Sequence, residues 1–418
     1  MNYILFEDDR TNLLAPLSDL HASFEIRTGV FTNIERILMQ ISEGDSVQIY
    51  TRQEIANIVR EKYPNLDVNP ENYNPGIYLN GTGVWYSDEI SLINSGRSYS
   101  NDNGLIGFTH SETVKYDQIE DIIKEQALVS SKIDVVSIKY IWDIFEVLSY
   151  TINKDNELIY NYKNGDIHPS CVLVNDDSVV ISKGSKISAG SILDASNGPI
   201  IIDENATLDI GVLVKGPVYI GKNSIINPGA KIRGPVSIGP FCKVGGEVED
   251  SIIQAFSNKQ HDGFLGHSYI GEWVNLGANT NTSDLKNNYS NIRMKLNNDK
   301  EIETNKMFIG SIIGVQIGQK LGERIDSSGL RALLAILLLI VGIAIAYDTF
   351  FADQIINGTT NATSSDLNFF SQFIVDFSKE MPFFYGLFTI MFAIVLGVSA
   401  AFIRRFVSNL RKNLLVKS

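Results

Sequence analysis

Cysteine is scarce in this chain of 418 residues: there are two, Cys171 and Cys242. They stand far apart and without metal-ligand partners, which argues against a disulfide framework and fits a reducing cytosol. An excess of positive charge is missing too. Lys and Arg number 35 against 48 Asp and Glu, a formal net charge of −13, so no basic field points to nucleic acid and that partner class is set aside. Met1 to Phe6 is apolar but leads into Asp8 and Asp9, with no basic n-region and no cleavage site, so it does not read as a signal peptide. Nor does a glycine-rich phosphate loop follow this first apolar run. Phe6-Glu7-Asp8-Asp9-Arg10-Thr11 stands there instead, and pattern alone shows no nucleotide site.

What is present divides the chain in three. Residues 1–165 alternate strand-like runs (Tyr3–Phe6, Val47–Thr51, Gly76–Asn80) with helical spacing (Thr32–Ile41, Arg52–Tyr63, Tyr116–Ala127). That alternation predicts an α/β layer domain with a mainly parallel sheet. From about residue 166 to 306 a six-residue period takes over. Ile202, Leu208, Val214, Ile220, Ile226, Ile232, Ile238 and Val244 are aliphatic without a break, and Ala206, Val212, Val218, Ser224, Ala230, Val236 and Cys242 are small at the offset of four. Three-sided coils put one aliphatic residue per side into a narrow interior, and stacked coils bury a continuous core. The period predicts a left-handed parallel β-helix of hexapeptide repeats. Ile181, Ile187 and Leu193 extend it upstream, and Phe264, Ile270 and Leu276 downstream. Asp194–Pro199 and Gln254–Asp262 read as loops leaving the coil. Gly221, Gly239 and Gly245 are expected at corners that need permissive backbone, and Cys242 is expected in the core.

The run Ser257-Asn258-Lys259-Gln260-His261-Asp262-Gly263-Phe264-Leu265-Gly266, then Ile270-Gly271-Glu272-Trp273-Val274-Asn275-Leu276-Gly277-Ala278-Asn279, then Asn287-Asn288-Tyr289, resembles the GlmU-type family. The likeness is nearest to an alternative bacterial branch of N-acetylglucosamine-1-phosphate uridylyltransferase/glucosamine-1-phosphate acetyltransferases. Tyr3-Ile4-Leu5-Phe6-Glu7-Asp8, Phe24-Glu25-Ile26-Arg27-Thr28-Gly29-Val30, Trp142-Asp143-Ile144-Phe145 and Gly245-Gly246-Glu247-Val248 are similar to it as well. Over residues 1–314 the resemblance implies acetyl transfer from acetyl-CoA to an amino-sugar 1-phosphate in UDP-N-acetylglucosamine synthesis, in a homotrimer joined through the β-helix. His261 matches the family's catalytic histidine, a general base toward the sugar amine, and Asn275 matches a substrate-contacting asparagine. Lys259, Arg233 and Lys243 are candidate phosphate or uridylyl contacts. Phe264 replaces a tyrosine of the better-known branch. The amino-terminal domain resembles the nucleotidyltransferase half without its glycine-rich triphosphate grip. Asp8, Asp9, Arg10 and Arg27 are the charged residues nearest the expected pocket, where Mg²⁺ would accompany a nucleotide, and uridylyl transfer is expected to be weak or absent.

Residues 307–418 read as a membrane segment. Ala332 to Tyr347 is sixteen uncharged residues and Pro382 to Ile403 is twenty-two, about 24 and 33 Å as helices. Gly310, Gly314, Gly318 and Gly322 form a small-residue stripe. Lys320, Arg324 and Arg331 precede the first span, and Arg404, Arg405, Arg411, Lys412 and Lys417 follow the second. The positive-inside rule then places both ends, and the amino-terminal domains, on the cytoplasmic side of the inner membrane. Leu321-Gly322-Glu323-Arg324-Ile325 and the apolar run from Leu330 to Gly342 resemble the end of a sulfite-exporter (TauE/SafE-type) permease. An alternative therefore stays open: an inactive, trimerising β-helix fused to a permease fragment as a chimeric product.

Overall fold

The computed structural model describes residues 1–93, 96–159, 163–296 and 301–314. The amino-terminal domain is built on a seven-stranded sheet in the order Asp67–Val68, Ser46–Tyr50, Asn2–Phe6, Gly76–Asn80, Gly104–His110, Ser98–Asn101, Ser131–Lys132. The first four strands run parallel. Gly104–His110 is antiparallel to both its neighbours, so the sheet is mixed. Ile4, Leu5 and Phe6 are all fully buried, as a central strand covered on both faces requires. Helices Asn33–Leu38, Ala56–Lys62 and Ile119–Leu128 fall where the spacing predicts them. The first opens on a capping box, Thr32 accepting from the Glu35 amide while Glu35 accepts from the Thr32 amide.

The second region is a three-sided parallel β-helix. Its first face stacks Asp166–Ile167, Lys186–Ile187, Thr207–Leu208, Ile225–Ile226, Lys243–Val244 and Asn258–Lys259. The second face runs from Val172–Val174 to Phe264–Gly266, and the third from Val179–Ile181 to Ile312–Ile313. All eight positions of the six-residue period are buried, as are the seven small residues between them. Burial pushes the Cys242 thiol up to about 12, which suits a core residue and not a nucleophile.

Past Val244 the period fails for a local reason. The corner between the first and second faces holds four residues at 227–230, only Gly245 and Gly246 in the next coil, and four again at 260–263. The inward positions move to Val248, Ile253 and Leu265. Phe264, expected inside, lies half-buried in register with Glu247. Gln254–Asp262 is likewise no excursion, because Asn258–Lys259 is a rung of the first face.

The glycines also serve a different purpose from the one expected. Gly221, Gly239 and Gly245 do not have positive φ. A Cβ would lie 1.8 Å from the Gln254 carbonyl oxygen at Gly239, 2.2 Å from that of Gln260 at Gly245, and 2.5 Å from the Gly239 carbonyl carbon at Gly221. Glycine is needed there because the next coil lies directly against the backbone. Left-handed backbone occurs instead at Asn205, Asn223, Phe241, Phe256 and Trp273, and the last three rings stack at 5.3 and 4.9 Å.

Helix Ile144–Asn156 seats the amino-terminal domain on the β-helix. Trp142, Ile144 and Leu148 share one apolar cluster with Tyr219, Ile252 and Tyr269 of the coils and with Ile292 and Ile309. The third face ends with Ile312–Ile313 against Tyr269–Ile270, beyond the boundary expected at 306. Among the described residues no helix is long and apolar enough to cross a membrane; the expected spans 332–347 and 382–403 lie outside the described residues.

Candidate functional site

Two places gather the chemistry-bearing residues. The first lies beyond the carboxyl ends of the parallel strands Asn2–Phe6 and Ser46–Tyr50, the usual position of ligands in open α/β sheets. A cavity of about 220 Å³ there is lined by Glu7, Asp8, Asp9, Asn12, Tyr50, Arg52, Glu54, Glu120, Ile123 and Lys124. Glu7 is buried and accepts from the Ser23 amide at 2.8 Å, the Arg52 amide at 3.1 Å and the Thr51 hydroxyl. Burial raises its pKa against the pull of Arg52 and these donors. Asp8 is committed as well. It caps the short turn of helix Asp9–Leu14 through the Arg10 amide, pairs with the Arg10 guanidinium, and accepts from Asn80 Nδ2 at 2.9 Å. Arg10 in turn donates to the carbonyls of Asn103 and Leu105.

The cavity brings Asp8 and Asp9 together but not Arg27. That arginine is buried where the two regions meet. Its Nε donates to the Gln254 carbonyl at 3.1 Å, its amide lies 3.0 Å from both Gln254 Oε1 and Tyr269 Oη, and its guanidinium sits over the Tyr219 ring. Arg27 is therefore a joint residue and cannot serve the nucleotide pocket. Among the described residues no three His, Cys, Asp or Glu side chains converge as metal ligands, and Asp8 already accepts from Arg10 and Asn80; Mg²⁺ accompanying a nucleotide would need only one or two carboxylates beside phosphate oxygens and water.

The second place is the edge of the β-helix between its first and second faces. His261 stands exposed on the corner 260–263, and among the described residues its ring has no hydrogen-bond partner. Lys243 and Asn275 are exposed on the adjoining first face, linked through Asn258 in register. Arg233 is on the second face two coils earlier, where Glu247 (2.7 Å) and Glu249 both hold its guanidinium. Two carboxylates on one cation leave it poorly suited to a phosphate. Lys259, expected as a phosphate contact on the surface, is inside: its side chain takes the inward position in register with Val244 and is 2 % exposed. Its ammonium donates to the carbonyls of His261 (2.6 Å) and Gly245 (3.0 Å). The sequence offered no signal for this, because a lysine in such a run reads as solvated.

Sequence reasoning also passed over His267 and His21. His267 Nδ1 lies 2.8 Å from Asp284 Oδ2, with the ring stacked on Phe308. His21, which is buried, is 3.2 Å from Glu272.

Comparison with known proteins bears on the first region most strongly. Residues 3–164 match the sugar nucleotidyl transferase family, so the α/β domain is nucleotidyltransferase-like. The bifunctional protein GlmU of Rippkaea orientalis is 30% identical over 106 residues, covering 25% of this chain and 22% of that protein. The match thus spans about a fifth of the relative's length. Both findings support a transferase.

Proposed function

We propose that the chain is an acetyl-CoA-dependent N-acetyltransferase acting on an amino-sugar 1-phosphate, with His261 as general base. The observation that carries this reading is the exposed, unpaired imidazole of His261 on a β-helix edge, with Asn275 and Lys243 on the adjoining face. The sugar amine attacks the thioester carbonyl of acetyl-CoA. As the new C–N bond forms, His261 takes the amine proton; the C–S bond then breaks and the coenzyme A thiolate leaves, receiving that proton. An imidazole suits the task, since its unperturbed pKa is about 6.5. Asn275 and Lys243 would hold the sugar and its phosphate. The GlmU match supports this reading, and trimerisation through the β-helix belongs to it.

The test is acetyl-CoA consumption with glucosamine-1-phosphate. His261→Ala should lower turnover by about 10²–10⁴-fold with the fold intact, and activity within a few-fold of wild type would remove His261 from the role. On sequence alone, residues 332–347 and 382–403 anchor this enzyme to the cytoplasmic membrane with its amino-terminal regions in the cytoplasm. The likeness to a sulfite-exporter-type permease rests on the same footing.

A further inference from the structure

Lys259 stands at an inward position where every preceding rung of the first face from Lys186–Ile187 onward carries an aliphatic residue: Ile187, Leu208, Ile226 and Val244 in order. A lysine ammonium without partners in such a place would be expelled or neutralised. Here two carbonyls receive it, one in the corner that carries His261 and one in the corner of the preceding coil. One is the His261 carbonyl itself, at 2.6 Å. The other, at 3.0 Å, is that of Gly245, in the two-residue corner directly above.

The shortened corner explains why a cation is useful. With only Gly245 and Gly246 between the faces, the backbone of this coil lies close over the His261 corner. A Cβ on Gly246 would be 2.7 Å from the Gly263 carbonyl oxygen and 3.0 Å from that of His261. The corner below must therefore take one height and one orientation. Asn227 fixes its first residue by donating to the Gln260 carbonyl at 2.8 Å, and Lys259 fixes its second. Among the described residues the exposed ring has no hydrogen-bond partner, so the peptide that carries it must set its direction. Burial depresses the Lys259 ammonium against the pull of Asp262, as expected for an amine withdrawn from water.

We infer that Lys259 is a positioning residue: from within the coil, its ammonium clamps the His261 peptide to the Gly245–Gly246 corner and so orients the imidazole. The inference rests on the acetyltransferase reading of His261. An error of about 1 Å in such a group can cost on the order of 10²-fold in rate.

The test compares Lys259→Met, Lys259→Gln and His261→Ala in the full-length protein, measuring kcat, the KM for each substrate and Tm. Methionine fills the rung without a donor, and replacing a buried charge by an apolar residue is often neutral for stability. Lys259→Met should keep Tm within a few degrees and both KM values within about twofold, while kcat falls about 10- to 100-fold. Lys259→Gln keeps an N–H donor and should recover part of that loss. A merely structural lysine would lower Tm and leave the kcat of the folded fraction intact, and that result overturns the inference. So does a Lys259→Met enzyme with wild-type kcat beside an inactive His261→Ala, an outcome that spares the reading of His261. An active His261→Ala defeats that reading, and the inference with it. Should Lys259→Met not fold, Lys259→Gln decides: a lowered kcat at unchanged Tm and KM supports the clamp, and an unchanged kcat, whatever the Tm, overturns it.

Discussion

Arg36 and Asp155 form an ion pair of 2.7 Å in which both side chains are fully buried, although 119 residues separate them in sequence. Asp155 also accepts from the Val30 amide and from Tyr86 Oη, each at 2.9 Å, and Arg36 donates to Thr28 and Asn33. The pair fastens helix Ile144–Asn156 to helix Asn33–Leu38 of the α/β domain. Removing one partner of such a pair leaves an uncompensated buried charge. Asp155→Ala should therefore cost about 3–5 kcal/mol, measured by denaturant unfolding of the α/β region. A loss below about 1 kcal/mol would show that water reaches Arg36.

The joint also has an acid limit. Burial pushes the Glu272 carboxyl up, but His21, Lys62 and Arg27 outweigh it and hold it at about 2. Lys62 is shared with Glu25, at 3.1 Å. A carboxylate depressed below its unfolded value of about 4.3 contributes stability that is present above that pH and lost as pH falls toward the folded value. Stability should thus decline between about pH 5 and pH 2, with Glu272 supplying roughly 2–4 kcal/mol of the change. Glu272→Gln should be less stable at pH 7 and show a flatter acid limb. Equal acid limbs in the two proteins would remove Glu272 from this account.

Coil stacking predicts opposite outcomes for two alanine substitutions. At Gly239 a Cβ would meet the Gln254 carbonyl oxygen at 1.8 Å, whereas at Gly277 nothing lies within 4 Å and φ is not positive. Gly239→Ala must push adjacent coils apart and should cost more than about 3 kcal/mol, well beyond the usual point-mutation range. Gly277→Ala should be neutral or stabilising by up to about 1 kcal/mol. Thermal unfolding of the pair checks both, and similar Tm values for the two would contradict the stacking argument.

The regular coils were legible because a narrow interior admits few side chains, so Ile202 through Val244 advertise it at every sixth position. Legibility ended where the Gly245–Gly246 corner dropped two residues. Counted back in sixes from Leu276 and Ile270, the period places Phe264 inside, while the chain places Leu265 there. Arg27 looked like a nucleotide ligand because it is among the charged residues nearest the pocket that the resemblance implies; its partner Gln254 lies 227 residues away, a distance that no local pattern reports. Lys259 was misplaced because an inward lysine is rare, and what stabilises it is backbone carbonyls, which have no signature in sequence. The roles proposed for His261 and Asn275 rest on resemblance, since an exposed histidine or asparagine satisfies no packing rule.

The last prediction concerns the α/β domain. Its match to sugar nucleotidyl transferases covers residues 3–164, so the domain is nucleotidyltransferase-like, and the cavity lies beyond the carboxyl ends of the parallel strands, the usual ligand position in such sheets. Its charge is wrong for a nucleotide. Glu7, Asp8, Asp9, Glu54 and Glu120 line it against Arg52 and Lys124 alone, and Lys124 already pairs with Glu120 at 2.7 Å. Arg52 donates to the carbonyls of Ser18 and His21, and Arg10 is spent on Asp8 and two carbonyls. A triphosphate would meet several carboxylates without a free cation facing it, and like charges at close range disfavour binding. Pyrophosphate release from UTP with N-acetylglucosamine-1-phosphate should accordingly be weak or absent, with or without added Mg²⁺. Replacing Asp9 and Glu120 by Asn and Gln should tighten UTP binding measured by calorimetry, because two negative charges leave the pocket while Asp8 and its hydrogen bonds remain. Robust Mg²⁺-dependent turnover by the unaltered protein, or no change in UTP affinity on neutralising both residues, would show that the triphosphate is held somewhere other than this cavity.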